Sequence, residues 1–243
     1  MTHRRRTLHP LACARALHAA HRHRLALGTL AALIANASPV QAAGGHHAVD
    51  DAAMLDPGQC QIETWFDHET GNARTLLHAG PACRIGGVEL GLSVDRVRLD
   101  GAGTTTVGGA QLKWAREIGN GWSTGVALAV AGQDRLPHDL GSTVVVPVTW
   151  KASETSLIHL NAGRDFRQHQ PDTSHAGAAL EWAPLSAWSF VAERFRESGA
   201  NFWRTGARWS LTPSTNVDLS RARGLNDSAP AWWTLGLTRV LDR

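Results

Sequence analysis

The sequence contains three cysteines, and the spacing of two of them could support chemistry. Cys60 and Cys83 lie 23 positions apart with a Gly71-Asn72 pair midway between them, and the third cysteine is Cys13. A redox pair or a metal site is disfavoured, because the chain has no CxxC motif and neither cysteine has a partner at metal-ligand spacing. A structural disulfide is the favoured interpretation, and it depends on the segments that carry the two cysteines.

Charged side chains form a second group, and they lie on the polar faces of segments whose other face is apolar. Six of them stand out: Glu89, Lys113, Glu181, Glu193, Arg204 and Arg208. The polar faces of a membrane barrel point into its lumen, so we expect these residues to line it, as we do His159 and Asn161. Their mixed charges suit either the passage of small polar or amphiphilic solutes or mutual pairing that plugs the pore.

A third group, His46 and His47 followed by Asp50 and Asp51, has side chains that could hold a cation. A flexible tail after a cleavage site is the favoured interpretation of this stretch. The sequence has no phosphate-binding loop and no basic-aromatic patch for nucleic acid. We therefore expect no catalytic residue, no metal, no cofactor and no nucleic-acid partner.

The first 42 residues have the composition of a secretory signal. An arginine-rich start precedes an apolar run at 25–37, too short to span a bilayer as a helix, and Val40 and Ala42 occupy the small-residue cleavage positions. An N-terminal anchor helix is the alternative. Six of the 24 basic residues and none of the 21 acidic ones lie here, so removal changes the net charge from +3 to −3. Cys13 is removed too, and two cysteines in an exported chain indicate one disulfide.

The remaining chain alternates apolar and polar residues with a period of two, which predicts strands. About twelve such segments occur, at 58–68, 74–84, 87–99, 104–117, 121–131, 142–153, 155–165, 174–184, 187–197, 200–212, 214–222 and 231–241. Their length is close to that of tilted strands that cross a bilayer. Even-numbered connections are short and several odd-numbered ones are longer, which is typical of an outer-membrane barrel with both termini in the periplasm.

Tryptophans near strand ends are consistent with this fold. Four of them are expected in the aromatic girdles at the membrane interfaces: Trp188, Trp209, Trp232 and Trp233. The alternative is that they form the core of a soluble sandwich.

The first hairpin can be predicted in register. With Gly71 and Asn72 as the central residues of a tight turn, three complementary pairs face each other: Cys60 and Cys83, Glu69 and Arg74, Phe66 and Leu77. Directly opposed residues of antiparallel strands are close enough for a disulfide. Pro81 cannot donate to the ladder, so a bulge there could shift the register by one.

The stretch DDAAMLDPGQCQIETWF resembles the start of a group of proteobacterial outer-membrane β-barrel proteins. The matching elements are Asp50, Asp51, Ala52, Asp56, Pro57, Gly58, Cys60, Gln61, Glu63 and Trp65, followed by the PAC element at 81–83. The stretch NFWRTGARWSLTPSTNVDLS resembles a late hairpin shared with transporter-like aromatic-pathway outer-membrane proteins. The resemblance implies a barrel and a transport role, and it brings no catalytic residues.

The sequence thus predicts an all-β, antiparallel, up-and-down transmembrane β-barrel of about 12 strands in the bacterial outer membrane. Its parts are a signal peptide at 1–42, a periplasmic N-terminal segment at 43–57 and the barrel at 58–243. We expect three partners: outer-membrane lipid, a small solute, and the barrel-assembly machinery during biogenesis. Three alternatives to a channel remain open: a structural barrel that docks a partner through the loops at 131–142 and 222–230, a soluble periplasmic ligand-binding barrel, and a barrel enzyme acting on lipid or peptide.

Overall fold

A computed structural model describes residues 46–71, 73–135, 140–226 and 229–241. They form twelve strands: β1 (Cys60–Glu69), β2 (Arg74–Ile85), β3 (Val88–Leu99), β4 (Gly103–Gly119), β5 (Trp122–Gln133), β6 (Leu140–Ser153), β7 (Ser156–Arg167), β8 (Thr173–Leu185), β9 (Trp188–Glu197), β10 (Ala200–Thr212), β11 (Thr215–Gly224) and β12 (Ala231–Leu241). Within these ranges there is no helix long and apolar enough to cross a membrane. The predicted signal peptide lies outside the described residues.

The strands form a closed barrel in which each strand pairs antiparallel with its sequence neighbours and β1 pairs with β12. Even-numbered connections are all two residues long, at 86–87, 120–121, 154–155, 186–187 and 213–214. We call this end of the barrel the turn side, and the opposite end, which carries the odd-numbered connections, the loop side. The predicted twelve-stranded up-and-down barrel is therefore confirmed, with the predicted sorting of its connections.

The two faces of the wall are the reverse of those in a soluble protein. Large apolar side chains such as Leu92, Leu77 and Leu235 are exposed on the outside, at 64%, 54% and 56%, while charged side chains such as Glu193 and Glu181 are buried. A soluble barrel would place its apolar face inside, whereas a membrane barrel presents that face to lipid. The arrangement therefore argues against the soluble periplasmic alternative.

Aromatic residues cluster on the outside near the turn side. Trp188 stacks on Trp209 with ring centroids 5.8 Å apart, and Trp122 stacks on Trp150 at 5.5 Å. Of the four tryptophans expected in girdles, Trp232 was assigned wrongly, because it is buried and faces the lumen. Its neighbour Trp233 is 44% exposed, and two adjacent residues of a strand cannot share a face.

The first hairpin has the predicted register. Cys60 is opposite Cys83 and the two form a disulfide. Phe66 is opposite Leu77, and Arg74 Nε lies 3.7 Å from a carboxylate oxygen of Glu69. Pro81 causes no shift, because the pairing between β1 and β2 continues without a break past it. At the turn, Gly71 has a φ of +91°, which a side chain would disfavour, and Asn72 lies outside the described residues.

Candidate functional site

The N-terminal segment, which we define as residues 46–59, lies inside the barrel up to residue 55. It reaches the turn side at β1, where Gln59 accepts a hydrogen bond from Arg84 N, and it extends inward to His46 beside Ser220 in the middle of β11. His46, Val49 and the residues of the Asp-Ala pair at 51–52 are buried. The expectation of a flexible tail was therefore wrong, because the lumen supplies partners for this stretch.

The inner part of the segment is held by β9, β10 and β11. The carboxylate of Glu193 accepts hydrogen bonds from Ala48 N at 3.4 Å and from Val49 N at 3.0 Å. Arg204 pairs with the same carboxylate at 3.1 Å and also donates to the carbonyl oxygen of His46. One buried ion pair of the wall thus binds donors and an acceptor of the segment at the same time, as buried charges require.

The outer part of the segment is held by other strands. Thr149 on β6 accepts from Ala52 N at 2.9 Å, and Glu89 on β3 accepts from Leu55 N at 3.0 Å. Lys113 on β4 binds Asp51 Oδ1 at 3.0 Å.

Between these two parts, the side-chain amide of Asn161, turned so that both of its groups are satisfied, accepts from Asp50 N and donates to Asp50 O. The backbone of the segment therefore has the hydrogen-bond partners that a buried chain without strand neighbours needs.

The two remaining charged residues, Arg208 and Glu181, face polar side chains of the wall. Arg208 Nε lies 2.7 Å from Asp218 Oδ1 across the β10–β11 pair. Glu181 lies 3.7 Å from His159 Nε2, and both side chains are fully buried. All six charged residues are thus buried. Four of them take part in ion pairs of the kind that plugging by mutual pairing requires: Lys113 with Asp51, Arg204 with Glu193 and Arg208 with Asp218.

Apolar packing adds to the hold on the segment. Val49 is fully buried and joins a cluster that includes Phe195, Phe202 and Trp232. A Cβ atom on Gly177 would lie 2.6 Å from Val49 Cγ2, so the segment occupies space that a side chain on β8 would otherwise fill. The glycine thus allows the close approach of the segment to the wall.

Burial has opposite consequences for two ionisable groups of the segment. It lowers the pKa of His46 well below the ordinary value, and the neighbouring His47 and the positive charges of Arg204 and Arg208 add to this effect. Burial raises the pKa of Asp50, an effect that Lys113 opposes by its charge. The segment is therefore bound most favourably with a neutral imidazole at His46 and a neutral carboxyl at Asp50.

Two cavities lie on the two sides of the segment. The loop-side cavity has a volume of about 590 Å³ and is lined by His46, His47 and Asp50 together with aromatic and charged wall residues such as Trp65 and Arg74. The turn-side cavity has a volume of about 650 Å³. It is lined by residues of the N-terminal segment and by wall residues near the turn side: Asp51, Ala53, Met54, Leu55, Asp56, Gln59, Gln61, Glu63, Glu89, Lys113, Arg208, Pro213, Ser214, Asn216, Thr238 and Val240. The two cavities share no lining residue, and the N-terminal segment separates them.

The main feature that the sequence did not reveal is the binding site for the segment. Its wall residues Thr149, Ser220 and Asn161 lie on polar strand faces, so their inward direction is readable from the alternation. Residues 46–55 have no such period, and nothing local indicates that their backbone amides meet Glu193 or Glu89. A signal was nevertheless present, because six charged residues facing one lumen need partners.

Comparison with solved structures finds barrels of the same architecture. The KdgM porin, in complex with disordered oligogalacturonate, has a TM-score of 0.63 at 6% identity and covers 74% of this chain and 98% of that chain. An outer-membrane channel from Pseudomonas putida F1 has a TM-score of 0.60 at 11% identity, with coverage of 79% and 98%. The toluene transporter TbuX of Ralstonia pickettii has a TM-score of 0.51 at 9% identity, with coverage of 85% and 97%. At these identities the likeness concerns the fold.

The fold and the apolar exterior together place the protein in the bacterial outer membrane, as predicted. No curated protein matches the chain in sequence. A protein-family model does match residues 29–240, and its description is "uncharacterised conserved protein UCP029691". The match covers most of the chain, so the protein belongs to this family.

Proposed function

We propose that the protein is an outer-membrane channel or transporter for small polar or amphiphilic solutes, with the turn side of the barrel facing the periplasm. We further propose that the N-terminal segment closes the lumen at rest. The observation that carries this proposal is the position of residues 46–55 between two cavities of about 590 and 650 Å³. The segment is held by side-chain contacts and not by strand pairing, so it can leave the lumen without breaking the barrel.

The loop-side cavity supports the choice of solute class. It combines the aromatic side chains of Trp65, Phe202 and Trp232 with the guanidinium groups of Arg74 and Arg204. Arg74 and Arg204 each lie 5.6 Å from the Trp232 ring. An apolar surface with charged groups at its edge favours solutes that are partly apolar and carry polar groups.

Planar-bilayer recording tests this proposal. We expect brief and rare openings from the wild-type chain and a steady conductance from a variant that lacks residues 46–55. Heat-modifiable migration in gels would show that both barrels are folded. If a correctly folded deletion variant conducts no better than the wild type at any voltage, the proposal is wrong.

The plugged lumen also suits a second function, a structural barrel that docks a partner without transport. The loops proposed for docking, 131–142 and 222–230, lie partly outside the described residues. Liposome swelling separates the two functions. Small sugars and amino acids should enter vesicles that contain the deletion variant if the lumen is a pathway, and should stay outside if the barrel is structural.

Transport is proposed in preference to catalysis. Glu181 and His159 resemble part of a hydrolytic site, but His159 is fully buried, and its Nδ1 is within hydrogen-bond distance of Thr149 Oγ1, 2.9 Å away. Thr149 also accepts a hydrogen bond from the backbone of the segment. Glu181, His159 and Thr149 therefore belong to the contacts that hold the segment in the lumen. Lipid or peptide hydrolysis that survives purification and is lost in a His159→Ala variant would favour the enzyme instead.

A further inference from the structure

Two histidines of the N-terminal segment meet a carboxylate of the barrel wall. His46 and His47 each bring one ring nitrogen, and Asp218 on β11 one carboxylate oxygen, to positions within 4.8 Å of one another. His46 and Asp218 are 7% and 2% exposed. The cluster therefore lies inside the barrel and joins residues that are far apart in the sequence.

One nitrogen of each imidazole at this place makes no hydrogen bond within normal distance. Nδ1 of His46 and Nδ1 of His47 are buried without a hydrogen bond, although the latter lies 3.7 Å from a Glu193 oxygen. The other nitrogen of His46, Nε2, is 2.7 Å from Ser220 Oγ. A hydrogen bond from Nε2–H to this hydroxyl leaves a lone pair on Nδ1, which is how outer-shell partners prepare a metal-binding histidine.

A glycine of the wall lies beside these atoms. A Cβ atom on Gly236 of β12 would lie 3.2 Å from His46 Nδ1 and 3.7 Å from Asp218 Oδ2. The missing side chain thus keeps the wall from crowding a nitrogen and an oxygen that could share an ion. Both histidines also line the loop-side cavity, which supplies an entry path and water for a fourth ligand position.

The surrounding charges set limits on the ion. Arg208 binds Asp218 through both oxygens, at 2.7 Å to Oδ1 and 3.3 Å to Oδ2. A carboxylate oxygen has more than one lone pair, so Oδ2 keeps the capacity to bind an ion. The positive charges of Arg204 and Arg208 nevertheless repel a bound cation, so we expect a moderate affinity for the metal ion.

We propose that His46, His47 and Asp218 form a binding site for a divalent transition metal that prefers imidazole, such as Zn²⁺, Co²⁺ or Ni²⁺, and that the bound ion fastens the N-terminal segment to β11. Ligand atoms around tetrahedral zinc lie about 3.4 Å apart, given bonds of about 2.0–2.1 Å. Small side-chain rotations bring the three atoms to this spacing. Binding of the ion is independent of whether the barrel transports a solute.

Metal titration of the purified full chain tests this site. The protein carries no polyhistidine tag, is stripped with a chelator, and is titrated with Co²⁺ in detergent. We expect one ion per chain, the visible absorption bands of tetrahedral cobalt, and displacement by Zn²⁺. Folded protein that binds no stoichiometric ion at about 100 µM metal overturns the proposal.

Variants identify the ligands. His46→Ala, His47→Ala and Asp218→Asn should each weaken binding at least about tenfold, as loss of metal ligands or their outer-shell partners typically does. His68→Ala, at an exposed histidine of β1, is the matched control and should bind as the wild type does. Because Asp218→Asn disturbs the pair with Arg208, Gly236→Ala serves as a second variant that fills the gap and keeps every ligand. Unchanged affinity in both Asp218→Asn and Gly236→Ala would show that the wall takes no part, and would overturn the proposal.

Discussion

The two ends of the buried part of the N-terminal segment are held by opposite walls of the barrel, and they differ in how they can be released. Residues 46–49 contact β9, β10 and β11 through Glu193, Arg204 and Ser220. Residues 51–55 contact β3, β4 and β6 instead. The two groups of strands lie across the ring from each other, so the segment bridges the lumen.

Within the part of the chain that the structure describes, the strand β1 tethers residues 51–55 more closely than residues 46–49. Leu55 is followed closely by Cys60, which begins β1 and is bonded to Cys83, so residues 51–55 stay near their partners even when a contact breaks. The tether keeps residues 51–55 at a high effective concentration near their partners, so the loss of one contact there changes the free energy of opening only slightly. Among the described residues, those at 46–49 lie farthest from β1 along the chain, and we expect opening of the lumen to begin with their release.

The largest effect is expected when the inner end is fixed covalently. Val49 Cγ2 lies 2.6 Å from the position of a Cβ atom on Gly177, so Val49→Cys combined with Gly177→Cys should form a disulfide. We expect the oxidised double variant to show no openings in bilayer recording, and the openings to return with reductant. Val49→Cys alone and reductant-treated wild type are the controls. Equal conductance before and after reduction would show that the inner end does not gate the lumen.

Removal of the charge that holds the inner end should have the next largest effect. Glu193→Gln leaves Arg204 without its carboxylate in the closed lumen, and such a loss costs about 3–5 kcal/mol in buried pairs. An open lumen admits water to Arg204, so this cost falls on the closed state. Because about 1.4 kcal/mol is tenfold in an equilibrium constant, the open probability should rise by a factor of about 100 or more until it saturates. Single-channel recording measures this, and an unchanged open probability in a folded variant would contradict the inner-end model.

The matched change at the tethered end should be much weaker. Glu89→Gln keeps an oxygen that can accept from Leu55 N, so only the added strength of a charged acceptor is lost, about 1 kcal/mol. We expect the open probability to rise about fivefold. If the open probability rose as much as in Glu193→Gln, both ends of the segment would have to be released together. The proposed difference between residues 46–49 and residues 51–55 would then be wrong.

A substitution between the two ends should close the lumen further. Burial raises the pKa of Asp50, so binding of the segment is strongest below the free value of about 3.9 and weakens as the pH rises through the raised pKa. Asp50→Asn removes this cost, and we expect fewer openings than in the wild type at pH 7. The difference should shrink as the pH is lowered, because the wild-type carboxyl then becomes neutral. If the difference in open probability between the two proteins grew on acidification, the direction assigned to the pKa shift of Asp50 would be wrong.

The smallest effect on gating is expected from the disulfide. Cys60→Ser combined with Cys83→Ser should leave the open probability within about twofold of the wild type, because β1 still pairs with β2 and β12. Stability should fall instead, since closing a loop of this size stabilises a chain by about 3 kcal/mol in the chain-entropy account. Denaturant unfolding followed by gel migration measures the loss. A large rise in open probability would show that the tether depends on the disulfide.

Much of the wall could be predicted because its determinants are local. The alternation in VELGLSV places Glu89 inward and Leu90 outward from neighbouring residues alone, and the structure has both in these positions. The register of the first hairpin follows from one turn and one pair of cysteines. Trp232 shows where such a prediction fails. Tryptophan near a strand end indicated a girdle position, whereas the alternation along β12 directs this side chain into the lumen, where it is buried.

A wall with an apolar exterior and a charged lumen follows from the amino-acid sequence, because a period of two assigns each residue to a face. The contents of that lumen depend on contacts between distant parts of the chain. Val49 meets Glu193 across 144 positions of sequence, and Leu55 meets Glu89 across 34. Such contacts form between backbone amides and distant side chains, so no local pattern encodes them. They arise because a closed ring brings those side chains together and buried charges require partners.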